Sequence, residues 1–365
     1  MRVLFYFTEK QWSGCARAIL VAARGLAGRG HVVTLACCAG SRLEQQARAA
    51  GLDLVPIGGS ISAVGGAIDL RRVLRDRFIE VAIVTSERDQ LIVASAMRAA
   101  ERGAVLRRIA PFERTDVRRT GKLALKLAAS GLVYSTERDA SDAPSAGWSL
   151  PPVIAPIGVD SAEYDDVEPA SRSVLQAPQH ATIIACAYDP AGRYRLATVF
   201  RTVALLASRH GNIHVVVFGP GSIDDDLRMH AAALGVSSVV SFLGEREDER
   251  SVMRAAAAGW VVAGADAAAF ACLDFMALRV PVIAERAPLA QHYVADGITG
   301  LLLSPGEASH TASHVAAFLA LEDRRAAMGN AGRARVQREF PLTAMLDGFD
   351  RAVNAAGDRS RWAVA

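Results

Sequence analysis

Short apolar runs alternate along the whole chain with longer stretches in which apolar residues recur every three or four positions. The runs at 3–7, 31–37, 53–57, 81–85, 105–109 and 132–135 are rich in β-branched and aromatic residues and read as buried strands. Alanine- and arginine-rich stretches of helical period, such as 17–27 and 91–102, lie between them. A βαβα order with near-continuous apolar strands predicts a parallel sheet with helices on both faces. The same grammar restarts at Ala181. Strands at 182–187, 214–218, 239–242, 260–263, 280–284 and 300–303 alternate with helices near 194–209, 224–234, 248–258 and 271–278. Between the two series, residues 161–179 are acidic, contain prolines and lack a period, so they read as a linker. The expectation is α/β: two Rossmann-like parallel-sheet domains, 1–160 and 161–340, facing across a cleft. Phe340-Pro341 breaks the late helical region, and a separate helix near 342–355 is expected to cross back onto the first domain.

Length and composition fit this picture. At 365 residues the chain has room for two ordinary domains. Apolar residues at 51% and charged residues at 22% exclude a disordered or fibrous protein. A net charge of +3 is too small to mark a nucleic-acid binder. The five cysteines, at 15, 37, 38, 186 and 272, form no C-x-x-C pair. They predict buried thiols in a reducing compartment and no structural zinc. The first apolar run stops at Phe7, too short for a secretion signal. Residues 255–273 carry a single charge, Asp266, but are mostly alanine with Gly259 and Gly264, unlike a membrane span. A cytoplasmic protein is expected, peripheral at the inner membrane face at most.

Ligands of open parallel sheets bind beyond the carboxyl ends of the strands, so the residues just after each strand are the informative ones. The Thr8–Gly14 stretch precedes a helix beginning near Cys15. Gly14 lets a ligand approach that helix N-terminus, where N–H groups favour a phosphate, with Cys15 as a pocket wall. Arg193 and Arg195 follow the first strand of the second series, and guanidinium groups there suit a diphosphate. Phe218-Gly-Pro-Gly-Ser222 begins like a dinucleotide fingerprint, but Asp224 stands in the third glycine's place, which favours a simple tight turn. Asp266 follows a buried strand. Asp274 falls early in an apolar helix, flanked by Leu273, Phe275 and Met276. A carboxylate in that setting needs a partner, and sugar hydroxyls would provide one. Plainer readings stand beside these: a βα turn at Gly14, a solvated helix start for the arginines, an N-cap for Asp266 and a solvent-facing Asp274.

The segment D-A-A-A-F-A-C-L-D-F-M-A-L-R-V-P-V-I-A, residues 266–284, resembles the hallmark of the retaining group 1 (family four) glycosyltransferases of the GT-B fold, E-G-F-G-x-x-x-x-E-A-M-A-x-G-x-P-V-I-A. Downstream, the stretch beginning His292-Tyr-Val-Ala-Asp-Gly is similar to the family's E-I-V-x-D-G-x-T-G-L-L-V. Upstream, residues 154–160 look like its P-N-G-V-D. The resemblance implies a GT-B architecture and a nucleoside-diphosphate sugar donor of UDP or GDP type. It implies Asp274 at the ribose, Asp266 as the catalytic carboxylate at the donor sugar, and Arg193 and Arg195 at the diphosphate. Ala269 and Phe270 then lie beside the donor, and Gly14 on the opposite wall. No cofactor and no metal are implied. The departures fall on this same site. Aspartates replace both glutamates, Ala267-Ala268-Ala269 replaces Gly-Phe-Gly, Tyr188 stands near the family's arginine and His292 replaces a glutamate. No histidine lies between 32 and 179 to serve as the family's N-terminal-domain histidine.

Three functions follow from this pattern: retaining transfer of a sugar to a glycan, lipid or small-molecule acceptor, a catalytically impaired sugar-nucleotide-binding or scaffold protein on the same fold, and an epimerase or phosphorylase. Between Arg107 and Lys126 seven basic residues face two acidic ones. Arg118, Lys122 and Lys126 at i, i+4 and i+8 make one cationic helix stripe, suited either to an anionic membrane or to solvent.

Overall fold

The computed structural model describes residues 1–58, 63–101, 103–112, 131–142, 150–209, 212–304 and 308–362. They fall into two compact units, Met1–Ile157 with Leu342–Ala365, and Gly158–Pro341. Arg118, Lys122 and Lys126 lie outside the described residues.

The first unit is built on β1 (Arg2–Phe7), β2 (Val32–Cys38), β3 (Asp53–Ile57), β4 (Val81–Val84), β5 (Ala104–Arg108), β6 (Gly131–Tyr134) and β7 (Val153–Ile154). Their order is β3-β2-β1-β4-β5-β6-β7, with every pairing parallel. Residues 3–7 of β1 are buried throughout, as a strand covered on both faces requires. Helix starts are written locally. Ser13, Ser41, Ser86 and Thr136 each accept a main-chain N–H three residues on, opening the helices Gly14–Gly28, Arg42–Ala49, Glu87–Ala99 and Glu137–Ser141. The final helix, Leu342–Trp362, packs in this unit and runs beyond the expected end at 355. Phe349 lies 6.5 Å from Phe5, and Arg29 and His31 reach Asp347 and Asp350 on its outer face.

The second unit carries β8 (Thr182–Tyr188), β9 (Ile213–Phe218), β10 (Val240–Gly244), β11 (Ala258–Val262), β12 (Val282–Glu285) and β13 (Gly300–Leu303), ordered β10-β9-β8-β11-β12-β13 and again parallel throughout. Its core gathers Phe200, Val215, Val217, Trp260 and Ile283 between sheet and helices. Within this unit, Val159 N–H donates to Phe340 O at 3.1 Å, tying its first residues to its last.

Two expectations need correcting. The helix expected at 271–278 begins at Ala265 and ends at Ala277, so Asp274 sits in its last third rather than early. Alanine is the best helix former and glycine among the worst, so a run of alanines lets the helix start a turn and a half sooner. The supposed linker also has structure: a 3-10 turn at Ser161–Tyr164 and a short helix at Arg172–Leu175, with Tyr164 and Leu175 buried.

Candidate active site

In each sheet the strand order reverses at one place, β1 beside β4 and β8 beside β11. These switch points open crevices at the carboxyl ends of the strands. In the second unit, Tyr188 ends β8 in register with Val262 of β11. Asp189 follows, and its carboxylate bridges the two strand ends. Oδ1 accepts the Gly192 N–H at 3.2 Å and Oδ2 the Gly264 N–H at 3.1 Å. Burial raises the pKa of Asp189, while these main-chain donors oppose the rise. Gly192 is packed so closely that an added Cβ would sit 1.8 Å from Val262 O. Only glycine fits there, and the turn Pro190–Gly192 then feeds the helix Arg193–Arg209.

The two arginines of that helix start have different fates. Arg193 is ion-paired with Asp224 at 3.1 Å and Asp226 at 2.7 Å, across the loop that follows β9. Arg195 donates to Ala263 O at 2.7 Å, on the end of β11. Asp224, the residue that spoils the glycine fingerprint, also caps the helix Asp225–Ala233 by accepting the Asp226 N–H at 2.8 Å.

Asp266 and Asp274 share the helix Ala265–Ala277 and are 2% and 3% exposed. Eight residues at the α-helical rise set them ~12 Å apart along its axis. Ala265, just before Asp266, holds a left-handed φ of 41°. Of the three alanines in the family's glycine-rich positions, Ala268 spends its N–H on Gly264 O at 3.2 Å. Ala269 and Phe270 lie in the packed body of the helix, 0% and 2% exposed. Asp274 Oδ1 accepts the Tyr164 hydroxyl at 2.5 Å. The Arg250 guanidinium covers the Tyr164 ring at 4.2 Å and pairs with Glu163 at 2.9 Å.

Tyr164 and Asp189 are the residues that sequence reasoning did not single out. The signal for Tyr164 was a large aromatic in an otherwise acidic segment, since a tyrosine with nothing to pack against is uncommon there. His292 is absorbed into an aromatic cluster, edge-on to Tyr293 at 4.8 Å and to Phe340 at 5.7 Å.

Gly14 belongs to the first unit, where it is the first residue of its helix rather than part of the preceding loop. At that unit's switch point Asp89 accepts the Thr8 hydroxyl at 2.7 Å, and Cys38 Sγ donates to Thr8 O at 3.0 Å. The sequence around Asp89, S-E-R-D, reappears as T-E-R-D ending at Asp139, which accepts the Phe112 N–H at 3.0 Å. In both copies the aspartate opens a helix and pins the loop after another strand. Among the described residues no helix is long and apolar enough to cross a membrane, and no group of three His, Cys, Asp or Glu is placed to hold a metal. All five cysteines are free thiols.

Comparison with known proteins bears on the family and the fold. Residues 170–335 match the family model of group 1 glycosyl transferases, which bears out the resemblance drawn from the sequence. The lipopolysaccharide core biosynthesis glycosyltransferase LpsE of Rhizobium meliloti (strain 1021) is 24% identical over 178 residues. That match covers 49% of this chain and 51% of the relative, so the chain spans about half the length of the curated protein it matches. Anabaena Alr3699/HepE, solved with UDP-glucose, superposes with a TM-score of 0.79 at 14% identity, covering 97% of this chain and 100% of that one. Sucrose-phosphate synthase from Thermosynechococcus elongatus gives a TM-score of 0.73 at 13% identity, with 100% of both chains covered. The fold is GT-B.

Proposed function

We propose that the protein is a glycosyltransferase that moves a sugar, with retention, from a nucleoside diphosphate to an acceptor. The observation that carries this is the pair Asp266 and Asp274, buried on one otherwise apolar helix directly after β11, beside the switch point of its sheet. Two carboxylates ~12 Å apart along an axis suit two separate polyols, a ribose and a donor sugar joined by a diphosphate. Asp274 holds the ribose and Asp266 the sugar, while Arg195 and the helix's first turn face the diphosphate. As the glycosidic bond breaks, negative charge gathers on the departing diphosphate and the sugar becomes oxocarbenium-like. A cation and helix-terminal N–H groups stabilise that distribution more than the ground state, which is what lowers the barrier. Cationic groups that neutralise the phosphates leave no step that needs a metal. HepE was solved with UDP and with UDP-glucose, which favours a UDP-type donor over GDP.

A second reading, a sugar-nucleotide-binding protein that has lost transfer, is favoured by the partners already taken at the site. Arg193 is engaged by Asp224 and Asp226, and Asp274 by Tyr164. Titration with UDP, GDP and their glucose conjugates, followed by donor hydrolysis with and without cell-extract acceptors, separates the two. Transfer is expected to show as nucleotide binding with turnover. At 100 times its Kd a bound donor adds ~2.7 kcal/mol of stability, readable as a raised melting temperature. Binding without turnover establishes the second reading, and no stabilisation by any of these nucleotides removes both.

A further inference from the structure

We propose that Tyr164 is a positioning residue for Asp274, and that the two form a matched pair in which the tyrosine hydroxyl compensates for a short acid; this rests on the reading that Asp274 binds ribose. Asp274 is 3% exposed, and Cys272, Leu273, Phe275 and Met276 around it in sequence are fully buried. Away from solvent a carboxylate takes its orientation from the donors that the protein supplies, and a charge-assisted O–H···O bond is among the stronger ones. The Tyr164 hydroxyl supplies such a bond to Oδ1 at 2.5 Å. The tyrosine is itself immobilised. Its ring lies under Arg250 at 4.2 Å, and Arg250 is anchored to the Glu163 carboxylate at 2.9 Å. With Oδ1 held by the phenol, the carboxylate group is restrained from turning about its Cβ–Cγ bond, and that orientation is what the ribose reading requires of it.

The same distance makes the two positions interdependent. A glutamate at 274 carries its carboxyl group one C–C bond further, ~1.5 Å, and runs into a hydroxyl already at hydrogen-bond contact. Aspartate therefore goes with tyrosine at 164, and glutamate requires the hydroxyl to be absent. Calorimetric titration of UDP and 2′-deoxy-UDP against the wild type, Tyr164→Phe, Asp274→Glu and the double variant tests this. Tyr164→Phe removes one oxygen and is expected to keep the fold. It should weaken UDP about ten-fold, equivalent to ~1.4 kcal/mol, and weaken 2′-deoxy-UDP clearly less. Asp274→Glu alone should bind UDP worse than the wild type, and adding Tyr164→Phe should restore most of the loss. Equal weakening of both nucleotides by Tyr164→Phe, no weakening, or a double variant no better than Asp274→Glu overturns the proposal. A wild type that binds neither nucleotide brings down the ribose assignment itself, an outcome distinct from wild-type binding that Tyr164→Phe leaves intact.

Discussion

The two switch points solve one problem with the same residue type, in opposite directions. In the first unit, Asp89 stands in the helix after β4 and reaches the loop after β1, taking the Thr8 hydroxyl at 2.7 Å and the Thr8 main-chain N–H at 3.4 Å. In the second, Asp189 stands just after β8 and reaches the end of β11, taking main-chain N–H groups of Gly264 and Gly192. Each carboxylate crosses the gap between two parallel strands whose connections leave on opposite sides. There the sheet's own ladder ends and main-chain donors lack partners. Burial raises the pKa of both. The difference lies in what is held. Asp89 holds both the hydroxyl and the main-chain N–H of one residue, Thr8, whereas Asp189 holds only backbone, in two separate segments, one of them two residues before Asp266. The carboxylate-bearing helix starts from the second switch point.

The sharpest way to break this contrast is at Gly192. Gly192→Ala places a Cβ 1.8 Å from Val262 O and should destabilise the second unit by at least ~3 kcal/mol, read as a lower urea midpoint for that unit's transition. Gly28→Ala is the control in the first unit. Nothing lies within 4 Å of its added Cβ, so it should be neutral or stabilising by ~0.5 kcal/mol. A Gly192→Ala midpoint equal to the wild type would show that the second switch point yields as easily as a surface.

Removal of each aspartate comes next in size. Asp189→Ala takes the acceptor from the Gly264 N–H, while the Gly192 N–H keeps the Asp189 carbonyl at 2.9 Å. Asp89→Ala takes it from both the Thr8 hydroxyl and the Thr8 N–H. Asp89→Ala should therefore cost more, ~2–3 kcal/mol in the first unit's transition against ~1–2 kcal/mol for Asp189→Ala in the second's. Equal losses would show that the number of donors deprived of a carboxylate does not set the cost.

The pH dependence separates these acids from His214. His214 Nε2 lies 2.6 Å from Ser241 Oγ, whose hydroxyl reaches Gln176 O at 2.9 Å. Burial, and then the Arg172 charge, lower its pKa. The unfolded chain takes up a proton near pH 6.5 that the folded state resists, so stability is present above that pH and lost as pH falls through it. Asp89 and Asp189, with raised values, act oppositely, favouring the fold most below pH ~4 and less as pH rises through their folded values. Replacing His214 by glutamine should flatten the fall between pH 7.5 and 5.5 in the second unit alone. An unchanged slope would mean that another group carries it.

The smallest effect is expected at Ala265, where φ is 41°. A left-handed alanine costs ~1–2 kcal/mol that glycine avoids, partly offset by glycine's greater unfolded entropy. Ala265→Gly should therefore raise the second unit's stability by ~0.5–1 kcal/mol, measured by the same midpoint. A loss instead would show that neighbouring contacts do not hold the residue there against its preference.

Much of this was legible without coordinates. Strands at 53–57 and 300–303 coincide with β3 and β13, because short β-rich runs bounded by polar and glycine-containing turns read as strands even at a sheet edge. The helix Ala265–Ala277 starts earlier than its apolar pattern predicts, because its run of alanines favours helix more than periodicity records. The ion pairs of Arg193 were not legible, since Asp224 and Asp226 lie about thirty residues away and meet it only where two adjacent strands end together. Tyr164 is the clearest case. No period or motif connects it to Asp274, 110 residues on. The sequence by itself determined the alternation of strand and helix and the parallel sheets, since periodicity and propensity act between near neighbours. Which oxygen each buried acid accepts from was decided only by tertiary structure, because inside a folded unit a polar group must satisfy itself with whatever the packing brings within 3 Å.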